Sequence, residues 1–96
     1  MKTAVIGLGA MGKKHYNVLK NLSSVVSVDL LNPEADYTST KHMLEEQLID
    51  FAVIATPTSS HRDLAIHLLN SGIDLLIEKP IALNTYEAFE ILQCAK

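Results

Sequence analysis

The chain has 96 residues and a formal net charge of −3, and it is 48% hydrophobic and 20% charged. We expect residues 1–96 to form one folded domain, since this composition excludes a disordered chain, and a chain without basic surplus is a poor partner for nucleic acid or an anionic membrane. The single cysteine, Cys94, is expected to be a small buried side chain and not a nucleophile. The spacing of the four histidines does not indicate a metal site. No apolar run has the length or flanking residues of a signal peptide or a membrane-spanning helix. We therefore expect a cytoplasmic protein without metal.

Four short apolar runs predict β-strands. They are Thr3 to Ile6, Val25 to Leu30, Phe51 to Ala55 and Asp74 to Ile77. Each run is nearly continuously apolar, which is typical of strands that are buried on both faces of a parallel sheet. Helical patterns alternate with these runs, so the sequence predicts a βαβ architecture.

Helices are predicted after the first, third and fourth strands. The first helix runs from Met11 to Asn21, and an apolar stripe recurs along it at helical spacing, formed by Met11, His15, Val18, Leu19 and Leu22. The next starts near Ser60, where Ser60 with Asp63 resembles a capping box, and it ends at residues 70–72. Its predicted buried face consists of Leu64, Ala65, Leu68 and Leu69. The last begins at Asn84 and is predicted to bury Ala88, Phe89 and Leu92.

The segment between the second and third strands is too short for the usual pattern. It holds a turn at residues 32–34 and a helical stretch from Thr40 to Leu48, carried by Leu44 and Leu48. A parallel crossover alone takes about 10 to 12 residues, so a further strand and helix cannot both fit here.

A glycine-rich motif follows the first strand directly and opens the first helix. It consists of Gly7, Leu8, Gly9, Ala10, Met11 and Gly12, in the pattern G-x-G-x-x-G. Gly7 permits a tight turn, Gly9 leaves room for a pyrophosphate near the backbone, and Gly12 lets the helix approach the strand. A glycine-rich turn alone can be a tight connection, but this context predicts a dinucleotide-binding turn at a helix N-terminus.

An acidic residue, Asp29, lies near the end of the second strand, about twenty residues beyond the first glycine. A carboxylate there accepts hydrogen bonds from the adenosine ribose and repels the extra phosphate of NADP. No Lys or Arg lies between Lys20 and Lys41 to hold that phosphate, so NAD is the predicted cofactor. The alternative is an aspartate solvated at a turn, with Asn32 at the ribose.

Two further groups of polar residues follow the third and fourth strands. Thr56, Pro57 and His61 come after the third, and Glu78, Lys79 and Pro80 come after the fourth. Because doubly wound sheets bind ligands at the carboxyl ends of their strands, we expect both groups to face one crevice.

These motifs together resemble the glucose-fructose oxidoreductase/inositol dehydrogenase/MocA family. The shared features, in the family's order, are the glycine motif with His15 after it, Ala55-Thr56-Pro57 with His61 four residues later, and Glu78-Lys79-Pro80. The resemblance implies a doubly wound Rossmann domain that binds NAD or NADP through these residues, with a separate substrate domain. It also implies that Lys79 is the catalytic-site lysine, that a cis peptide bond precedes Pro80, and that His61 lies near the cofactor.

The sequence departs from the family in two places. The compressed segment from Asn32 to Gln47 lacks the helix that the family usually places after the second strand, which puts in doubt the third strand of the sheet and the adenine side of the pocket. The chain also ends at Lys96, before the domain in which the family keeps its acid-base residue and in which a homo-oligomer would form.

The sequence thus predicts the NAD-binding part of an oxidoreductase that acts on a secondary alcohol of a sugar, cyclitol or nucleotide-sugar. The alternatives are a dinucleotide-sensing protein without turnover and an inactive fragment. Lys79 favours the enzyme, because sensing has no need of that lysine.

Overall fold

The computed structural model of the protein describes residues 1–95, in which strands and helices alternate along the chain. The strands are β1 (Lys2–Ile6), β2 (Ser24–Val28), β3 (Phe51–Ile54) and β4 (Asp74–Ile77). The helices are α1 (Ala10–Leu19), α2 (Thr40–Glu46), α3 (His61–Asn70) and α4 (Thr85–Ala95), and a 3₁₀ turn at Thr58–Ser60 leads into α3. All four predicted strands are confirmed, although β2 ends two residues earlier and β3 one residue earlier than predicted.

The four strands form one parallel sheet in the order β2-β1-β3-β4. One face carries the main core, to which Met43 of α2, Leu68 of α3 and Ile91 of α4 contribute. The opposite face is covered by α1, which lies over β1, β2 and β3. Helices on both faces confirm the predicted doubly wound, Rossmann-type fold.

Burial on both faces holds for the two central strands and for the carboxyl half of β2, where Ser27 and Val28 are each 3% exposed, but it is wrong for β4. Val5 of β1 and Val53 of β3 face α1 and are 0% and 1% exposed. Leu76 pairs with Val53 across the sheet but lies beyond the reach of α1, and it remains 45% exposed. A single helix on that face cannot cover four strands.

The apolar stripe predicted along α1 does not form the buried face of this helix. Met11, Val18 and Leu22 are exposed, and Gly12 is the residue of this helix that is buried. The reason is that α1 approaches the sheet most closely where Gly12 has no side chain, so that of the stripe only His15 and Leu19 are half-buried.

Helix α3 has the predicted inner face but a different beginning. Ala65 and Leu68 are fully buried, as expected. The predicted capping box at Ser60 does not form, because the 3₁₀ turn continues into the helix. The hydroxyl of Ser60 instead donates to the carbonyl oxygen of Pro57 and forms a hydrogen bond with the hydroxyl of Thr56.

Helix α4 begins as predicted but buries a different residue. Asn84 Oδ1 accepts from the backbone N–H of Glu87 at 2.9 Å, which confirms the cap. Phe89 and Leu92 are exposed, Ala88 is half-buried, and Ile91 takes the buried position. The predicted face was wrong because it followed the largest apolar residues instead of the side of the helix that meets α3.

The compressed segment contains one helix and a single β-bridge. Tyr37 pairs with Val28 in parallel, with its N–H donating to Ser27 at 3.0 Å and its carbonyl accepting from Asp29 at 3.0 Å. One paired residue stands where a further strand would lie, as the segment length predicted. Helix α2 ends at Glu46, so the predicted extension to Leu48 is wrong, and Leu48 is exposed.

Candidate dinucleotide-binding site

The turn between β1 and α1 packs tightly against neighbouring backbone. Gly7 has a φ of 96°, which side chains disfavour, and a Cβ atom added to it would lie 2.7 Å from the carbonyl oxygen of Ala55. A Cβ atom on Gly12 would lie 1.7 Å from the carbonyl oxygen of Gly7. Both positions therefore require glycine for the turn and the helix to meet.

The second glycine of the motif faces open space. A Cβ atom added to Gly9 would meet no other atom within 4 Å, and Gly9 lines a crevice at the carboxyl end of the sheet. Gly9 also precedes the first residue of α1, and no side chain caps this helix end. The first N–H groups of a helix have no acceptor within it, and its dipole favours an anion there.

Asp29 follows the last residue of β2, and three backbone N–H groups donate to its carboxylate. Leu8 donates to Oδ2 at 2.7 Å, and Leu31 and Asn32 donate to Oδ1 at 2.9 and 3.0 Å. These bonds, led by that from Leu8, hold the pKa of Asp29 below its ordinary value, and the charge of Lys13 contributes in the same direction. The side chain is therefore a carboxylate anion, and Lys13 is a nearby cation that the sequence analysis did not place here.

One crevice at the carboxyl end of the sheet is lined by most of the predicted site residues. Its volume is about 780 Å³, within the roughly 300–1,000 Å³ of small-molecule sites. Its walls include the predicted residues Gly7, Gly9, Ala10, Met11, Asp29, Thr56 and Pro57. Its walls do not include Leu8, Gly12, His61, Glu78, Lys79 and Pro80. Leu8 instead lines a second cavity of about 240 Å³ beside Asp29.

The stretch of chain between β2 and α2 also contributes wall residues that sequence reasoning missed. Leu30 and Leu31 line the crevice and are 78% and 87% exposed, and Thr38 and Thr40 lie beside them. Two successive leucines directly after the strand-end acid Asp29 were the available signal, although the apolar pattern includes the first of them in the predicted strand.

His61 lies beneath the loop that follows β3, where it is 1% exposed. Its Nε2 atom lies 2.8 Å from the carbonyl oxygen of Thr56, and its Nδ1 atom lies 3.0 Å from that of Pro80 and 3.1 Å from that of Ile81. Both ring nitrogens thus contact backbone and not the crevice.

The turn after β4 presents Lys79 to solvent. The N–H of Glu78 donates to the carbonyl oxygen of Ile54 at 3.0 Å, which holds this turn beside the end of β3. The carboxylate of Glu78 pairs with His15 of α1, both half-buried. The peptide bond between Lys79 and Pro80 is cis, as the resemblance implied.

The residues present fit a bound dinucleotide. Open space at Gly9 and the uncapped N-terminus of α1 suit a pyrophosphate, and the carboxylate of Asp29 suits ribose hydroxyls. Leu30 and Leu31 offer an apolar surface next to Asp29 for an adenine ring. Within residues 1–95, no group of three or more His, Cys, Asp or Glu side chains is arranged to hold a metal ion. None of the helices in that range has the length and apolar character needed to cross a membrane.

The chain belongs to the family described as "Oxidoreductase family, NAD-binding Rossmann fold" (GFO_IDH_MocA), whose model matches residues 1–96. The fold and the glycine turn described above are those that this description requires. The resemblance inferred from the motifs is therefore confirmed, as is NAD as the cofactor of the domain.

Individual relatives differ widely in what they act on. The chain is 32% identical to a 4-carboxy-2-hydroxymuconate-6-semialdehyde dehydrogenase of Sphingobium sp., over 85% of the chain and 30% of that enzyme. It is 32% identical to a UDP-N-acetylglucosamine 3-dehydrogenase of Acidithiobacillus ferrooxidans, over 100% of the chain and 34% of that enzyme. The crystal structure of myo-inositol 2-dehydrogenase from Lactobacillus plantarum is similar with a TM-score of 0.88 and 28% identity, over 98% of the chain and 32% of that protein.

The chain thus spans about a third of the length of these relatives. Their identities with it are similar, although the substrates in their names are a semialdehyde, a nucleotide-sugar and a cyclitol. The shared third is the part that binds the dinucleotide.

Proposed function

We propose that this chain is the NAD-binding part of an enzyme that oxidises a secondary alcohol of a sugar, cyclitol or nucleotide-sugar. The observation that carries the proposal is the exposed Lys79, held by the turn after β4 beside the carboxyl end of β3. The nucleotide-sugar and cyclitol dehydrogenases among the relatives support the substrate class.

In the proposed site, the glycine turn and the first N–H groups of α1 bind the pyrophosphate, and Asp29 binds the adenosine ribose. Thr56 and Pro57 line the crevice towards the nicotinamide. His61, whose ring nitrogens contact backbone, supports this wall from beneath.

The proposed chemistry divides between cofactor and protein. Bound NAD supplies the hydride acceptor. The ammonium group of Lys79 donates a hydrogen bond to the reacting oxygen and stabilises the negative charge that develops as its proton leaves. The acid-base group is proposed to lie in a substrate domain outside this chain.

The decisive variant is Lys79→Met in the complete protein, which keeps an apolar stem and removes the charge. We expect kcat to fall by about two to four orders of magnitude, the range of general acid-base and oxyanion contributions, while NADH affinity changes little. Lys41→Met, at an exposed lysine of α2, is the matched control and should keep the parent kcat. Steady-state NAD reduction with a panel of sugars and cyclitols provides the measurement.

An unchanged kcat in Lys79→Met would contradict the catalytic assignment. Tight NADH binding without turnover of any alcohol would favour the sensing protein. Residues 1–96 alone should bind NADH and show no turnover, because the acid-base group is proposed to lie outside them.

We propose that NAD(H) binds more tightly than NADP(H). The support is Asp29, whose carboxylate is kept ionised by three N–H groups and would repel a ribose 2′-phosphate. Lys13 opposes this effect, so calorimetry with both cofactors is the direct test. Equal affinities would mean that Lys13 offsets the aspartate.

The proposal also places the protein in the cytoplasm, with a homo-oligomer formed through the substrate domain and no nucleic-acid partner. A single free cysteine, Cys94, is consistent with a reducing compartment, and the net charge of −3 disfavours nucleic acid.

A further inference from the structure

His61 connects the loops that follow two neighbouring strands. Its ring lies between the carbonyl oxygen of Thr56, 2.8 Å from Nε2, and those of Pro80 and Ile81, 3.0 and 3.1 Å from Nδ1. At 1% exposure, the ring is shielded from water that could replace these contacts. Buried imidazole contacts of this kind fix the relative position of the groups they join.

The loop on the Nε2 side is itself fixed to the glycine turn. The N–H of Ala55 donates to the carbonyl oxygen of Ile6 at 2.8 Å, and a Cβ atom on Gly7 would lie 2.7 Å from the carbonyl oxygen of Ala55. A continuous set of backbone contacts therefore runs from the glycine turn to His61 and on to Pro80.

The turn that contains Lys79 is held on its other side as well. Glu78 pairs with His15 of α1, so the residues on both sides of Lys79 are attached to the fold. Lys79 is exposed between them, and within residues 1–95 its ammonium group forms no ion pair.

We infer that His61 is a positioning residue for Lys79. Its Nδ1 contacts hold the Pro80 end of the turn and thereby set where the ammonium group lies relative to the glycine turn. This inference rests on the proposed function, in which Lys79 touches the reacting oxygen. Displacing a reacting group by about 1 Å can cost about 10²-fold in rate.

Two substitutions separate the contacts of the ring. Asn at position 61 places an amide nitrogen near the position of Nδ1, and Gln reaches the position of Nε2. His61→Asn thus directs an amide N–H donor towards Pro80 and Ile81, whereas His61→Gln directs one towards Thr56. His67→Asn, at an exposed histidine of the same helix, is the control.

In the complete protein, we expect His61→Gln to lower kcat by about 10²-fold and His61→Asn to lower it much less. NADH affinity should remain close to the parent value in both, because the glycine turn and Asp29 are untouched. Equal losses of kcat in the two variants, with both folded, would overturn the inference.

A double-mutant cycle with Lys79→Met distinguishes a positioning role from general structural support. If His61 acts through Lys79, adding His61→Gln to Lys79→Met causes no further loss of kcat. Additive losses would overturn the inference. If Lys79→Met alone keeps the parent kcat, the proposed function fails first, whatever His61→Gln does.

A measurement on this chain alone needs no turnover. Hydrogen exchange at the N–H of Glu78, which donates to Ile54, should be faster in His61→Gln than in His61→Asn, while the N–H of Leu8 stays protected in both. Unchanged exchange at Glu78 in the Gln variant would contradict the inference. If His61→Gln does not fold, the test is made with His61→Asn. A folded His61→Asn variant whose kcat is as low as that of Lys79→Met would contradict the inference.

Discussion

The two charged groups of the proposed site are held in opposite ways. The carboxylate of Asp29, at the end of β2, accepts three backbone N–H bonds and belongs to the fold. The ammonium group of Lys79, beyond β4, is exposed, and only its neighbours Glu78 and Pro80 are attached. A group that recognises a fixed ligand can be ordered beforehand, whereas a group that must reach a reacting oxygen has to keep its donors available.

The largest expected effect tests the binding side of this comparison. Gly9→Val should abolish NADH binding, because the new side chain would occupy the open space through which the pyrophosphate approaches. Thermal stability should stay near that of the parent, since no atom lies within 4 Å of the added Cβ. Calorimetry and thermal unfolding of the same sample measure both, and normal binding would show that this turn is purely structural.

The second prediction separates packing from binding within the same turn. Gly12→Ala should destabilise the fold by about 3 kcal/mol, at the upper end of overpacking costs, because its Cβ would lie 1.7 Å from the carbonyl oxygen of Gly7. Urea unfolding measures the change, with Gly9→Ala as the matched control. Equal stability of the two variants would mean that α1 moves freely away from the turn.

The smallest predicted effect concerns the fixed carboxylate and its pH dependence. Because the folded protein holds the pKa of Asp29 below its unfolded value of about 3.9, the carboxylate stabilises the fold above that pH, and this stabilisation is lost as the pH falls through the folded pKa. Asp29→Asn should therefore cost roughly 2 kcal/mol at neutral pH, as expected for hydrogen bonds to a charged group.

The cost should shrink below about pH 4, where the parent carboxyl also begins to be protonated. Asp74→Asn, at an exposed residue of β4, is the control. Unfolding free energies at several pH values decide the matter, and a cost that does not change with pH would mean that the charge of Asp29 contributes nothing to the fold.

The strands and the order of elements could be predicted because they follow apolar runs and turn residues. The glycine turn could also be predicted from the sequence, because backbone contacts at Gly7 and Gly12 leave no room for any other residue. The faces of α1 and α4 could not be predicted from hydropathy. Helix α1 meets the sheet through Gly12 and the polar pair of His15 with Glu78, which leave no apolar signature.

The candidate site was likewise predicted only in part. Residues in short motifs, such as Asp29 and Thr56, were identified from spacing along the chain. Lys13, Thr38 and Thr40 come to the site only through the path of the folded chain. The contacts of His61 join a carbonyl group five residues before it to two carbonyl groups nineteen and twenty residues after it.

The compressed segment has a consequence for how the sheet meets other chains. Along the outer side of β2, the N–H of Ser27 donates to the carboxylate of Asp36 at 2.9 Å, and its carbonyl accepts from Tyr37 at 3.0 Å. The backbone groups that could pair with a foreign strand are thereby occupied by a short loop. The carboxyl half of this edge is thus protected against aggregation that proceeds through β-strand pairing. Two residues, Asp36 and Tyr37, provide this protection in place of a full strand.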